Sequence, residues 1–461
     1  MNNKQFPNAG PRLDRLPTSK FHWKIFGIVA IGLLVNWSNA IGGLILAQLS
    51  RIGWTTNSIS ATFTAINTAG MFLGALLGGI IADRIGRRKS YMLFVALHVI
   101  SMIIGAMSPN MTFLIILRFF MGFALGALIT TLFAAYTEYV PSRNRGTWSS
   151  RVSFIGNWSY PVCSLIAMAI APLLSPNMNW RVQLLIPAIL AALVFFLVLK
   201  AFPESPRWLE TQGKYDEANK ILDKIEADTE QSTKQSLPAI QEVSHDEEQP
   251  STLPYSALFH GALLKRVILG SAVLIAMNVV QYTLINWLPT IFLAKGINLK
   301  DSVFLNTMNM FGAPIGIFIT TFIIDKIPRK VLGSSLLIVI AILGYFYSLQ
   351  TSLMMISVVG FFLIILVYMY VCFASAVYVP EIWPTAAKVR GSGLANAVGR
   401  ISGIVAPYGV AYCLDNVGVT GVFIMLGATS LIVAVVIMFL GIESRNQSVE
   451  EIGEVQEQSA N

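Results

Sequence analysis

The stretch "GGIIADRIGRRKSYMLF" (Gly78–Phe94) decides the fold, because it sets a charged cluster between two long apolar runs. The cluster comprises Asp83, Arg84, Arg87, Arg88 and Lys89. The chain as a whole is 55% hydrophobic and only 12% charged, whereas soluble domains carry about 25% charged residues. The stretch therefore predicts a short polar turn between two helices that span a membrane.

Apolar segments of about 20 residues recur along the chain, and each is long enough to cross a hydrocarbon core of roughly 30 Å as a helix. We number the predicted helices 1 to 12, at 23–47, 58–82, 90–107, 111–138, 149–172, 182–202, 266–293, 303–324, 331–349, 353–379, 391–414 and 418–440. The sequence thus predicts an all-α polytopic membrane protein.

The chain has a net charge of +8, and its cations are unequally divided between the predicted inner and outer loops. If the N-terminus is inside, the predicted outer loops hold few cations, and the inner loops and tails hold nearly all the others. The outer cations are Arg51, Arg181, Lys295 and Lys300. This positive-inside pattern predicts a multi-pass protein of the plasma membrane (the inner membrane of a bacterium) with both termini cytoplasmic. It also explains the basic charge without a nucleic-acid partner.

The charged turns repeat. "DRIGRRK" (Asp83–Lys89) returns as "DKIPRK" (Asp325–Lys330), 242 positions later, and "EYVPSRNRG" (Glu138–Gly146) returns as "EIWPTAAKVRG" (Glu381–Gly391), 243 later. "PESPRW" after helix 6 has a weaker echo in "IESRN" after helix 12. Such a repeat predicts two pseudo-symmetric six-helix bundles, a common transporter architecture.

The repeat also divides the chain into segments. The predicted segments are a tail at 1–22, a bundle at 23–202, a cytoplasmic loop at 203–264, a second bundle at 265–441 and a tail at 442–461. Within the loop, "KYDEANKILDKIEAD" (Lys214–Asp228) has the apolar spacing of a helix. His245 lies in the acidic stretch that follows, which is more typical of a solvated linker than of a metal site.

These turns resemble the signature motifs of the major facilitator superfamily. "GIIADRIGRRK" (Gly79–Lys89) matches the motif between helices 2 and 3, with Gly79 expected to allow close helix approach. "PESPRWL", "EYVPSRNRG" and "IESRNQSVEEI" are similar to the sugar porter and organic ion branch, which includes metabolite:H+ symporters and carriers of organic anions and aromatic acids. The resemblance implies a transporter that works by alternating access, not an enzyme, with no cofactor and no metal.

In that branch, acidic and basic residues of the turns form inter-helical ion pairs on the inner face, which hold the outward-open state. Carried over to this sequence, the gating set is Asp83, Arg84, Gly86, Arg87, Arg88, Glu138, Arg145, Glu204, Asp325, Glu381, Arg390 and Glu443. The alternative is that these residues form solvated surface pairs, each worth about 0–1 kcal/mol.

Ionisable residues at bilayer depth are costly and usually functional. Arg400 lies about ten residues into predicted helix 11, which is roughly 14 Å along its axis. Its motif resembles the "GRxGxxxxP" of organic anion and aromatic acid transporters, whose arginine is implicated in binding the anion. The alternative is a structural arginine bonded to carbonyls. Arg118 in helix 4 is included in the predicted substrate-binding set, with proton coupling, helix packing or a positive potential as its role, and His98 is predicted to be a packing residue.

Further contacts are predicted from polar and aromatic residues near the midplane. Asn36 and Asn39 stand in helix 1 where proton-coupled relatives often have Asp, and an amide cannot carry a proton. This leaves proton coupling open. In helix 7, "QYTLINWLP" is similar to a stretch of organic acid carriers at Tyr282, and the "QQxSGxN" of sugar porters is not matched. Trp37 and Asn157 complete the set, while Tyr160 and Tyr368 are interpreted as packing or lipid-facing.

The sequence therefore predicts transport of a small organic anion, a monocarboxylate or an aromatic acid, bound by Arg400. The protein is expected to act as a monomer in the lipid bilayer, with protons as possible co-substrates. Two alternatives stay open. One is transport of a neutral sugar or polyol, since "PESPRW" is shared with that branch. The other is a nutrient sensor that does not transport, although such sensors usually carry longer cytoplasmic extensions.

Overall fold

A computed structural model describes residues 8–141, 145–240, 254–384 and 387–444, apart from the side chains of 145–147 and 389. His245 and the side chain of Arg145 thus lie outside the described residues. Within them, 12 helices are long and apolar enough to cross a membrane, which confirms the predicted number.

The first six membrane helices precede the loop at 203–264. Helix 1 comprises Lys20–Leu34 and Trp37–Arg51, helix 2 is Asn57–Ile85, helix 3 is Arg87–Ala106, helix 4 is Met111–Tyr139, helix 5 comprises Arg145–Asn157 and Ser159–Ile170, and helix 6 is Pro176–Ala201. The described part of the loop contains the helices Pro206–Thr211 and Tyr215–Thr233 and the 3₁₀ turn Tyr255–Phe259.

The other six follow the loop. Helix 7 is Gly261–Ala294, helix 8 comprises Leu299–Met310 and Gly312–Ile323, helix 9 is Arg329–Ser348, helix 10 is Leu353–Val371 with a π-helical turn Cys372–Tyr378 and the short helix Val379–Glu381, helix 11 is Lys388–Asn416, and helix 12 is Val419–Leu440. Several ends differ from prediction by a few residues, because a helix continues past its apolar run into polar residues.

Three membrane helices are interrupted, which hydropathy alone does not predict. Helices 5 and 8 break at Trp158 and Phe311, three residues before Pro161 and Pro314. A proline has no N–H to donate and its ring crowds the carbonyl four residues earlier, so the helix is weakened there. Helix 1 instead breaks at Asn36, where successive amides bond three residues back rather than four.

Contacts divide the chain into two compact units. Unit 1 holds the described parts of Met1–Asn39, Gly70–Ser159 and Arg181–Glu248, and unit 2 holds those of Ala40–Ala69, Tyr160–Trp180 and Gln249–Asn461. The predicted bundle boundaries at 23–202 and 265–441 rest on the sequence repeat and stay a prediction.

In unit 1, helices 2 and 4 approach each other at glycines. A Cβ on Gly78 would lie 2.6 Å from Ala127 Cα, and one on Gly74 would overlap the carbonyl oxygen of Phe123. A Cβ on Gly79 would have no neighbouring atom within 4 Å. The expectation that Gly79 provides the close approach is therefore wrong, because its neighbour Gly78 occupies the face of helix 2 that meets helix 4.

Unit 1 also contains a module formed by the N-terminal helix Ala9–Asp14 and the loop helix Tyr215–Thr233. Its apolar contacts join Leu13 to Leu222 and Ile225, which confirms the predicted apolar face of the loop helix. Arg12 is almost fully buried and forms ion pairs of 2.6 Å with both Asp223 and Glu226.

Candidate functional site

The turn between helices 2 and 3 forms an ion-pair cluster. Arg87 Nη1 lies 2.6 Å from Asp83 Oδ1, one helical turn earlier, and Arg87 Nε lies 2.9 Å from Glu138 Oε1 at the end of helix 4. A guanidinium presents its donors in a fixed fork, so it can bind two carboxylates in a defined geometry. Three predicted gating residues are thus brought together, and they tie helices 2, 3 and 4 at one end.

Glu204 completes this cluster from the segment after helix 6. Its Oε1 accepts a hydrogen bond of 3.0 Å from the backbone N–H of Arg88, in the first turn of helix 3. Such a carboxylate satisfies a free helical N–H and is favoured by the positive end of the helix dipole. Gly86 has φ +100, and a Cβ there would lie 2.5 Å from Glu204 Oε2. The glycine therefore serves both the turn and the approach of Glu204.

The second copy of the motif has the same architecture in unit 2. Arg329 lies 3.2 Å from Asp325 Oδ1 and 3.1 Å from Glu381 Oε2. Glu443 accepts hydrogen bonds from the backbone N–H groups of Arg329, at 2.9 Å, and of Lys330, at 3.3 Å. Arg329 was not among the residues predicted from sequence. The signal was present, since Arg329 follows Arg87 by the repeat offset of 242 positions.

The remaining predicted gating residues are placed differently. The side chain of Arg88 donates to the carbonyl oxygen of Leu199 in helix 6. Arg390 lies over the ring of Tyr255, with its guanidinium carbon 5.1 Å from the ring centre. Arg84 is exposed at the end of helix 2 and belongs to none of the ion pairs found among the described residues.

In unit 2, helix 11 meets helix 7 closely on both sides of Arg400. A Cβ on Gly399 would lie 2.7 Å from Leu274 Cβ, and one on Gly403 would lie 2.9 Å from the ring of Tyr282. Arg400 Nη1 consequently lies 3.4 Å from the hydroxyl oxygen of Tyr282. Within the described chain, no carboxylate forms an ion pair with Arg400. The arginine is therefore a partly buried cation with only a weak neutral partner.

Aromatic and polar side chains extend this part of unit 2. The rings of Tyr160 and Tyr368 stand edge to face, with centroids 5.7 Å apart. Gln281 and Tyr282 lie beside Tyr368 as well. The Tyr368 hydroxyl is buried and interacts with the side chains of Gln281 and Tyr160. Sequence reasoning set Tyr160 and Tyr368 aside, because tyrosines on membrane helices are more often packing residues.

Five predicted binding residues lie in unit 1, and three of them mark helix breaks. Asn36 occupies the break in helix 1, with Trp37 at the start of its second part. Asn157 ends the first part of helix 5, where its side chain donates to Ser153 O at 2.8 Å. Asn39 is buried in helix 1. Broken helices are where many transporters place their substrate sites, since the free backbone groups can bind a ligand.

Arg118 is fully buried in unit 1. Its Nη1 donates to the backbone oxygen of Ser38 at 2.9 Å, which joins helix 4 to helix 1 near the break. His98 Nδ1 lies 3.3 Å from Met121 O, a contact typical of the packing role expected for it. Among the described residues, no Asp or Glu is buried, so neither Arg118 nor Arg400 faces a buried carboxylate.

The known proteins that this chain resembles are membrane transporters. Residues 25–455 match the family described as "Sugar (and other) transporter". The metabolite transport protein YdjK of Escherichia coli K12 is 66% identical over 97% of each chain. The niacin transporter NiaP of Acinetobacter baylyi is 27% identical over 96% of this chain and 99% of its own. The xylose transporter XylE of E. coli, solved in a partially occluded inward-open conformation, has a TM-score of 0.74 at 19% identity, covering 93% of this chain and 100% of its own.

Proposed function

Because the chain belongs to the sugar (and other) transporter family of the major facilitator superfamily, we propose that it carries a small organic anion across the membrane by alternating access. The cargo would be a monocarboxylate or an aromatic acid. The relatives and the fold are those of transporters, which confirms the prediction of a metabolite transporter rather than an enzyme.

The observation that carries the proposal is the state of Arg400. A guanidinium inside the membrane needs a counter-charge or strong hydrogen bonds to offset its desolvation. The Tyr282 hydroxyl at 3.4 Å supplies little. A substrate carboxylate would supply the counter-charge, and it would bind strongly because charge-assisted hydrogen bonds gain strength away from water. Cargo and site would thus complement each other.

The aromatic surroundings support a planar cargo. Tyr160, Tyr282 and Tyr368 offer ring faces and hydroxyls, a combination that suits a flat ligand with polar edges. NiaP transports niacin, which is an aromatic monocarboxylic acid. On the sequence alone we also propose binding roles for five residues of unit 1, which are Asn36, Trp37, Asn39, Arg118 and Asn157.

A neutral sugar or polyol is the second candidate. The family description names sugars, and the neighbouring Tyr368 hydroxyl and Gln281 amide are groups that would also suit sugar hydroxyls. A neutral cargo would leave the Arg400 charge uncompensated, which is why we rank the anion first.

We further propose that both termini face the cytoplasm and that the charged turns lie on that side of the inner membrane, since nearly all cations would then be inside. The two clusters around Arg87 and Arg329 would stabilise one conformation of the transport cycle. Ion pairs that exist in only one state can bias a two-state equilibrium even when each pair is weak.

The test is uptake of labelled benzoate, nicotinate and xylose into proteoliposomes by the wild type, Arg400→Ala and Arg400→Lys. We expect uptake of an acid, a loss of about 10- to 100-fold in apparent affinity for Arg400→Ala because a charge-assisted bond contributes about 1.5–3 kcal/mol, and partial retention by Arg400→Lys. Lys265→Ala, which removes an exposed cation at the start of helix 7, is the matched control. Xylose uptake that is indifferent to Arg400→Ala would overturn the proposal.

A further inference from the structure

Unit 2 contains a cavity of about 440 Å³ at the end of the membrane helices where helix 1 ends and helix 8 begins. Its wall is mainly apolar and comes from the end of helix 5 and the first turns of helix 8. The apolar lining residues are Met168, Ala171, Pro172, Leu299, Val303 and Phe304. Arg400 and Tyr282 are not part of this cavity, so it is separate from the site described above.

Three charged residues complete the lining, and no ion pair joins them within the described chain. Arg51 and Lys300 form no ion pair or side-chain hydrogen bond within the described chain. The Asp301 carboxylate is already held by Asn298, whose Nδ2 lies 2.7 Å from Asp301 Oδ2. The cavity thus combines an apolar wall with two cations and one carboxylate, which give the lining a net charge of +1.

We propose that this cavity binds a small amphipathic organic acid, with the carboxylate at Arg51 and Lys300 and the hydrocarbon part against the apolar wall. Its volume falls in the range of about 300–1,000 Å³ that is usual for small-molecule sites. The two cations are also half of the four in the predicted outer loops, where positive charge is otherwise scarce. The inference rests on the proposed cargo class and assigns a second site, at the outer end, where the acid is captured before it reaches Arg400.

The first experiment measures equilibrium binding of labelled benzoate to the full chain in nanodiscs of phosphatidylcholine. Arg400→Gln serves as the background, because it removes the proposed central site. We expect this variant to keep a weaker binding component. The added pair Arg51→Gln and Lys300→Gln should lower its affinity about tenfold or more, since each charge-assisted bond contributes about 1.5–3 kcal/mol. Asp301→Asn should raise the affinity, because it removes the only negative charge in the lining.

These outcomes separate the two proposals. If Arg400→Gln retains a component that the Arg51 and Lys300 changes remove, the outer site stands even where the wild type transports no acid. If Arg400→Gln abolishes all binding, the outer site is wrong and the central site alone binds benzoate. Binding that persists unchanged in the Arg51 and Lys300 variants, or that Asp301→Asn does not raise, also contradicts the outer site.

A second experiment locates the ligand. Ala171→Cys places a thiol in the cavity wall, and Leu173→Cys places one nearby on an exposed position outside it. In a background with Cys163, Cys372 and Cys413 replaced by Ser, benzoate should slow maleimide labelling at 171 several-fold and leave labelling at 173 unchanged. Equal effects at both positions would overturn the location. Protection by phosphatidylglycerol without benzoate, and none by benzoate in phosphatidylcholine, would assign the cavity to an anionic lipid and overturn the proposal.

Discussion

At the scale of single residues, the two arginines of the repeated turns make the same kinds of contact in each copy. Arg87 and Arg329 each bind a carboxylate one turn earlier and a second one on another helix. Sequence reasoning found the acidic partners in both copies but the central arginine in only one. In "DKIPRK" a proline replaces the glycine of the first copy, and two basic residues follow it instead of three, although Arg329 keeps the offset of 242 from Arg87.

We expect Arg329→Ala to destabilise the protein by about 1–3 kcal/mol, because the Glu381 carboxylate would lose a charge-assisted partner while it stays partly buried. Arg329→Lys should recover part of this loss, since a lysine supplies one point charge instead of a fork. Thermal unfolding in detergent measures both. Arg84→Ala, on an exposed side chain, is the control, and an equal effect there would contradict the assignment.

Gly86 allows a comparison of backbone strain with steric overlap. Gly86 and Gly213 both have positive φ, +100 and +72, but only at Gly86 would a Cβ meet a neighbour, Glu204 Oε2. Alanine in the left-handed region costs about 1–2 kcal/mol, so Gly213→Ala should destabilise by that amount. Gly86→Ala should destabilise more, because its backbone at φ +100 and ψ 160 lies in a region that is essentially restricted to glycine and because a Cβ also displaces Glu204 from the Arg88 N–H. Unfolding midpoints of the two variants that coincide would refute the role given to Glu204.

At the scale of elements, the N-terminal helix is fastened to the loop helix by Arg12 and Arg15. Burial alone would raise the pKa of Glu226, but the hydrogen bonds from Arg12 and Arg15 outweigh it and hold this pKa below its ordinary value. The hydrogen bond with Glu226 in turn raises the pKa of Arg12. The fold therefore stabilises the charged form of Glu226.

A carboxyl group whose pKa is lower in the folded state contributes stability that is complete above its unfolded pKa, about 4.3, and is lost as the pH falls through the folded value. We expect the loop helix to be protected from amide hydrogen exchange at pH 7 and to lose this protection below about pH 4. Glu226→Gln should weaken protection at pH 7 and flatten its pH dependence. Asp223→Asn is the control, since that side chain is 69% exposed and should have a smaller effect.

At the scale of the whole molecule, the absence of buried carboxylates among the described residues bears on energy coupling. A proton-coupled carrier needs a group that gains and loses a proton during the cycle, and the amides of Asn36 and Asn39 cannot do so. We expect exchange of internal for external acid at equal pH on both sides to proceed without a proton gradient. Net uptake at a fixed concentration of the anion should change less than twofold when a gradient is imposed.

Counterflow in proteoliposomes, with an ionophore that clamps the internal pH, measures this. Asn36→Asp is the informative variant, because it restores a carboxylate at the break of helix 1. A wild-type protein that accumulates the acid only with an inward proton gradient would contradict the expectation and would implicate carboxylates at helix ends in proton coupling.

Orientation in the membrane and the monomeric state remain predictions. Labelling of the termini would test the orientation, and cross-linking would test the monomeric state.

The sequence by itself determined the features that depend on local composition. The number of membrane helices follows from the length of apolar runs against the thickness of the bilayer, and the charged turns follow from the cost of placing charges in lipid. The family motifs pointed to the superfamily, to transport and to Arg400. The loop helix with its buried Leu222 was also predictable, because its apolar residues recur with the period of a helix.

Only the tertiary structure decided the features that depend on contacts between distant segments. Pro161 and Pro314 follow helix breaks, whereas Pro187, Pro289 and Pro407 lie inside continuous helices. The difference depends on how the surroundings satisfy the freed carbonyls, which the local sequence does not record. The same reason applies to the partners of Arg329, to the place of Tyr368 beside Tyr160, and to the cavity at Arg51. Each depends on side chains that meet only when helices far apart in the sequence are packed together.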